Sequence, residues 1–147
     1  MQSHKKIAVV GSGLVGTLLA IYLKRRGHTV HVYDRSPDIR KINFTGRSIN
    51  LVLSDRGVKA LRDVGLDNEV LGIGIPVEKR AIHTGSDTVN EQFYGKYGEV
   101  IYSLSRGLLN KKMVDLAEKA GVEFFFEEKV WDVDLTTATI SIGESER

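Results

Sequence analysis

Three glycines at a fixed spacing carry the strongest chemical signal in this chain. Gly11, Gly13 and Gly16, within Gly11-Ser12-Gly13-Leu14-Val15-Gly16, fit the pattern G-x-G-x-x-G. The bare pattern is weak, but here it has the context it requires. An apolar run, Ile7–Val10, precedes it, a helical pattern opens within it, and Asp34 closes the next β-rich run 18 residues beyond Gly16. Each part has a physical task. Gly11 permits the tight turn, Gly13 lets a pyrophosphate approach the backbone, and Gly16 lets the helix lie close on the strand. The helix N-terminus offers free N–H groups and partial positive charge to phosphates, while the Asp34 carboxylate accepts hydrogen bonds from a ribose diol. With Ser12, Leu14 and Val15 at the variable positions, these residues form a candidate dinucleotide site. A glycine-rich turn without a ligand is the competing reading, and it needs several independent coincidences.

No other group of residues offers chemistry of its own. Cysteine is absent, which excludes disulfides, thiolate metal sites and a cysteine nucleophile and fits a reducing cytoplasm. His4, His28, His31 and His83 lack metal-ligand spacing, so no metal is expected. Ser54, Asp55 and His83 have no nucleophile-elbow context, and no catalytic side chain is assigned.

The elements that must position the loop follow from composition and periodicity. The 147 residues are 41% hydrophobic and 27% charged, with 21 Lys+Arg against 19 Asp+Glu, which suits a soluble globular domain. A net charge of +2, on scattered basic residues, excludes a nucleic-acid surface as the main role. The 17 uncharged residues Ile7–Leu23 resemble a signal or marginal membrane span, but three glycines favour a strand and a buried helix, so no membrane segment is expected. Ile7–Val10 reads as a strand buried on both faces. A helix follows with Val15, Leu18, Leu19, Tyr22 and Leu23 as its apolar stripe and Gly27 beyond its end. The run His28–Tyr33 completes a parallel βαβ unit.

Ser48–Ser54 leads into an expected helix from Asp55 to Val64, with Gly65 past its end. Beyond Pro76, Lys79–His83 and Val89–Phe93 read as antiparallel strands around Gly85-Ser86-Asp87. Val100–Tyr102 reads as another strand. Ser105 caps a helix to Ala120, its stripe being Leu109, Met113, Leu116, Ala117 and Ala120, with Gly121 at its end. Val122–Phe126, Val130–Val133 and Thr139–Ile142 read as strands. The fold class is α/β, a Rossmann-like βαβ domain interrupted by antiparallel β strands. Its expected divisions are 1–75, a cofactor-binding part; 76–103, the start of a substrate-side β insertion; and 104–147, a return to the cofactor-binding part. NAD and FAD share the glycine fingerprint, but an antiparallel insertion between Rossmann elements is characteristic of FAD-containing hydroxylases.

Further motifs make a resemblance specific. They are Gly46-Arg47-Ser48-Ile49-Asn50-Leu51-Val52-Leu53-Ser54 with Arg56-Gly57 and Ala60-Leu61, then Gly74-Ile75-Pro76, Arg80-x-Ile82-His83 and Tyr94-Gly95. Tyr102-Ser103-Leu104-Ser105-Arg106, Leu109-Asn110 and Ala117-Glu118 continue the series. With the glycine loop they span about residues 5–133 in order, and the chain resembles the kynurenine 3-monooxygenases, a family of FAD-dependent aromatic hydroxylases.

The resemblance implies that Gly11, Gly13, Gly16 and Asp34 hold the ADP part of FAD. The family often has glutamate where Asp34 stands. It implies further that Arg35 faces the adenine or a phosphate, Val52 borders the flavin, Arg106 bonds to the cofactor, and the Val130 backbone meets the adenine. Arg80 and Tyr94 match residues that bind the substrate carboxylate. The implied reaction is hydroxylation of L-kynurenine to 3-hydroxykynurenine with NADPH and O2, a step of tryptophan catabolism. The family's enzymes are longer, with later Asp-Gly and Gly-Asp segments, so an N-terminal fragment, inactive by itself, is expected. Two other readings stay open on the residues alone: an NAD(P)-dependent oxidoreductase using the same loop, and a non-catalytic dinucleotide-binding module.

Overall fold

The computed structural model describes residues 3–42, 50–85 and 89–143. The chain begins with β1 (Lys6–Val10), α1 (Leu14–Arg25), β2 (Thr29–Asp34), β3 (Asn50–Leu53), α2 (Asp55–Arg62), α3 (Asp67–Leu71) and β4 (Ile75–Val77). It continues with β5 (Lys79–His83), β6 (Val89–Phe93), β7 (Ile101–Ser105), α4 (Arg106–Lys119), β8 (Glu123–Phe126), β9 (Val130–Asp134) and β10 (Thr139–Ile142). Two compact units divide these elements: Met1–Gly46 with Asn110–Arg147, and Arg47–Leu109. Among the described residues, no helix is long and apolar enough to cross a membrane.

In the first unit, β1 and β8 flank β2, and both pairings are parallel. Strand alternation sorts the side chains. Val9, Val30 and Val32 share one face and are buried. Ala8, Val10, His31, Tyr33 and Phe125 share the other, where the Tyr33 and Phe125 rings stack at 4.9 Å. That second face is open, with Val10 58% exposed, so β1 is not buried on both faces as its composition suggests. The reason is that, among the described residues, only the α1 side of β1 is covered, and an apolar run does not reveal which faces other elements will cover.

The buried side of α1 also differs from the expected stripe. Thr17, Ala20 and Ile21 are buried, whereas Val15 is 82% exposed and Leu19 lies on the outside as well. Close packing explains the rotation. A Cβ on Gly16 would collide with the Gly11 carbonyl oxygen and touch Val9, so the helix seats its Gly16 side on the strand, with Thr17, Ala20 and Ile21 inward and Val15 and Leu19 outward. Gly27 has φ +84°, the left-handed conformation expected after this helix.

A charge cluster fixes the segment after β2 to α4. The Arg40 guanidinium donates to Asp38 through Nε at 2.9 Å and through NH2 at 2.7 Å. It also donates to Asp115 at 3.0 Å and to both carboxylate oxygens of Glu118. Glu118 and then Asp38 push the Arg40 pKa upward, and Arg40 in turn holds the Asp38 carboxyl below its ordinary value. Lys111 adds a bond from its ammonium to the Ile42 carbonyl at 3.3 Å. The buried face of α4 contains Leu109, Met113, Leu116 and Ala117 as expected, together with Val114. Ala120, expected in that stripe, is exposed past the helix end. The strand expected from Val122 to Phe126 begins one residue later, at Glu123, and runs to Phe126.

In the second unit, β7 pairs antiparallel with β3 on one side and β4 on the other. Pro76 lies in β4, an edge strand, where its missing N–H breaks no central ladder. Val58, Leu61, Val64, Leu66, Val70 and Leu104 are buried in this unit. β5 and β6 form the expected antiparallel hairpin, from Lys79 opposite Phe93 to His83 opposite Val89. Ser86 and Asp87 of its turn, and Gly46–Ile49 of the long motif, lie outside the described residues. Strand β7 runs on to Ser105, whose hydroxyl accepts the Leu108 N–H at 3.4 Å and so caps α4.

Arg40→Met should lower stability by about 1–3 kcal/mol, the range for lost hydrogen bonds to charged groups that are only partly buried. Urea unfolding of the two proteins measures this difference, and an unchanged midpoint refutes the clamp.

Candidate functional site

The glycine loop is held from both sides. Gly11 has φ +102° and donates its N–H to the Tyr33 carbonyl at 2.7 Å. One residue on, Ser12 donates to a single oxygen of Asp34, Oδ2, from its backbone N–H at 2.6 Å and its hydroxyl at 2.7 Å. The other oxygen, Oδ1, accepts the Ser36 N–H at 2.8 Å. Burial pushes the Asp34 carboxyl up, but the Ser12 and Ser36 hydrogen bonds outweigh it and hold the pKa below its ordinary value. Asp34 is therefore a carboxylate at neutral pH. Its own carbonyl accepts the Glu128 N–H at 2.9 Å, close in sequence to Val130 at the start of β9.

The start of α1 is open to an anion. Gly13 caps the helix in extended conformation with no side-chain hydrogen bond, and its first turn carries no acidic residue. Nothing lies within 4 Å of a Cβ placed on Gly13. The N-terminal N–H groups thus lack side-chain partners at a point where the backbone is unshielded, which fits a pyrophosphate. Leu14 is half-buried, Val15 stands outside, and Arg35 is exposed after Asp34. These residues, with Val130, belong to the first unit.

Val52, Arg80, Tyr94 and Arg106 belong to the second unit. Val52 pairs with Ser103 in the β3–β7 ladder and is 57% exposed, so packing within the unit does not account for it. Arg106 opens α4 and is exposed. In the hairpin, Arg80 lies opposite Gln92, and the Tyr94 N–H donates to the Glu78 carbonyl at 2.9 Å. By strand alternation, Glu78, Arg80, Gln92 and Tyr94 share one face. The guanidinium donates to Gln92 Oε1 through Nε at 2.9 Å and through NH2. Tyr94 also lines a groove of about 460 Å3 with Ser54, Arg56, Glu99 and Ile101. Sequence reasoning missed Gln92 and Ser36. Two-residue alternation back from Tyr94 points to the first; the second, two residues past Asp34, has the spacing of a local side-chain turn.

The profile of the FAD binding domain family matches residues 4–146. The chain belongs to this FAD binding domain family. Its curated relatives include the kynurenine 3-monooxygenase of Flavobacterium johnsoniae, 69% identical over 147 residues, covering 100% of this chain and 33% of that protein. The enzyme of the same name from Caenorhabditis elegans is 46% identical over 131 residues, 87% of this chain and 28% of that protein. The chain therefore spans about a third of the length of the curated relatives it matches. Among solved structures, 2-methyl-3-hydroxypyridine-5-carboxylic acid oxygenase (a Y270A mutant) superposes with TM-score 0.76 at 19% identity, over 96% of this chain and 38% of its own. That likeness establishes the fold.

FAD is the cofactor of this domain, and the loop's chemistry suits its ADP half. The free N–H groups at the start of α1 would meet the pyrophosphate, and Asp34 would accept from the adenosine ribose. Asp34→Ala should weaken FAD binding about tenfold or more, the worth of hydrogen bonds to a charged group. Flavin titration of the full-length polypeptide tests it, and unchanged affinity in a folded variant removes Asp34 from the site. Because its folded pKa is lowered, the carboxylate contributes stability above its ordinary value of 3.8 and loses it as pH falls through the lowered value. Asp34→Asn should therefore reduce the acid sensitivity of unfolding below pH 3.8.

Proposed function

We propose that the chain forms part of an FAD-dependent monooxygenase that hydroxylates L-kynurenine to 3-hydroxykynurenine, with NADPH and O2 as co-substrates, in the cytoplasm. The observation that carries the substrate reading is the shared face of Arg80 and Tyr94 on the β5–β6 hairpin. Kynurenine has an amino-acid carboxylate at one end and an aminophenyl ketone at the other. A guanidinium fork beside a phenolic hydroxyl suits the carboxylate, leaving the ring free to point elsewhere. Two of the guanidinium's donors already converge on one carboxamide oxygen of Gln92, the geometry in which a carboxylate oxygen would be received.

The remaining residues have binding and shielding roles. Asp34 and the glycine loop would hold the ADP half of FAD, and Arg106 would supply a positive charge to it. Arg35 would face the adenine or a phosphate, and the Val130 backbone would meet the adenine edge. Exposed Val52 would cover part of the flavin and keep water from it. Bound FAD would supply the redox chemistry that activates O2 with electrons from NADPH, so no protein nucleophile would be required.

Arg80→Ala in the full-length polypeptide should raise the kynurenine dissociation constant about 30-fold or more, the effect of removing a charge partner from a covered ligand. FAD content should stay the same. Equilibrium binding to the flavin-loaded variant decides it, since unaltered kynurenine affinity there rules Arg80 out of the site.

A further inference from the structure

We infer that the Ser12 hydroxyl is a positioning group that competes with the cofactor's ribose for Asp34, so the two ribose hydroxyls contribute unequally to binding. The inference rests on the reading of the loop as a dinucleotide site. It starts from the capacity of the carboxylate, which offers about four lone-pair positions. Oδ2 already receives two donors from one residue, the Ser12 N–H at 2.6 Å and the Ser12 hydroxyl at 2.7 Å. Oδ1 receives the Ser36 N–H at 2.8 Å.

Oδ2 thus carries one fixed donor and one that can turn, while Oδ1 accepts a fixed backbone donor. The backbone N–H of Ser12 cannot leave, because the Ser12 carbonyl is held by the Thr17 hydroxyl at 3.0 Å and Gly11 is bonded to Tyr33. The Ser12 hydroxyl needs only a rotation about its Cα–Cβ bond to release Asp34. A ribose hydroxyl arriving at Oδ2 exchanges one O–H to carboxylate bond for another, with little net gain. One arriving at Oδ1, beside the Ser36 N–H, adds a bond without displacing a hydroxyl. Ser12 therefore keeps Asp34 aimed at the loop before the cofactor arrives, and it makes one ribose hydroxyl the recognised one.

The test uses the flavin-free full-length polypeptide and three probes: ADP, 2′-deoxy-ADP and 3′-deoxy-ADP. Calorimetric titration should show one deoxy analogue bound about tenfold or more weakly than ADP, and the other bound nearly as well. In Ser12→Ala, ADP should bind more tightly and both analogues should fall below it by similar factors. Ser12→Thr, which restores a hydroxyl, should restore the inequality. Equal losses for the two analogues in the unmodified protein overturn the inference, and that comparison needs no variant. A split that survives unchanged in Ser12→Ala also overturns it. If the folded protein takes up neither ADP nor FAD, the dinucleotide reading itself fails; if it takes up ADP with equal deoxy losses, only the role of Ser12 fails.

Discussion

A missing Cβ at Gly16 is the constraint on which the first unit depends. There the helix backbone lies so near the Gly11 carbonyl that any side chain would collide. This contact brings the start of α1 against the end of β1. It also turns Thr17, Ala20 and Ile21 inward, and Val15 and Leu19 outward. Once the helix is seated, Ser12 is delivered to the end of β2, where Asp34 waits with its carboxylate. Packing and electrostatics are therefore coupled through a two-residue turn. The close approach sets the geometry, and the hydrogen bonds then fix it.

Asp34 and Arg40 solve opposite problems a few residues apart. Asp34 is one carboxylate supplied with donors from Ser12 and Ser36, and among the described residues it has no cation as a hydrogen-bond partner. Arg40 is one guanidinium supplied with three carboxylates, Asp38, Asp115 and Glu118. The first arrangement relies on dipoles and rotatable hydroxyls, which a ligand's own hydroxyls can replace. The second uses nearly the whole guanidinium fork and leaves little for a ligand. The chemistry of each cluster thus suggests a different role, recognition for Asp34 and anchoring for Arg40. Their neighbouring places on the segment after β2 connect the two roles.

The second unit carries its chemical groups on strands. Alternation along β5 and β6 puts Arg80, Gln92 and Tyr94 on one face without any loop to order. Val52 stands exposed on β3 by the same rule. Such faces suit groups meant to meet something other than their own unit. The chain spans about a third of the length of the curated relatives it matches.

The sequence by itself determined the βαβ unit, the hairpin, the α4 cap and the run of motifs, because each depends on neighbours close along the chain. Glycine spacing, strand alternation and a serine before a helix act within a few residues, and they were legible as such. The β1 burial, the true face of α1 and the position of Ala120 were not. Apolar content shows that a residue can be buried, but coverage depends on which elements pack over each face and how closely a helix approaches. The hub at Asp34 was half legible: its place after β2 marked it for a ribose, while the two Ser12 donors on its Oδ2 arose only when α1 was seated. Arg40's three partners lie two, 75 and 78 residues away along the chain, and only folding could assemble them. Local rules specify elements, and the distances between them are set by packing, where a single absent methyl at Gly16 decides the approach.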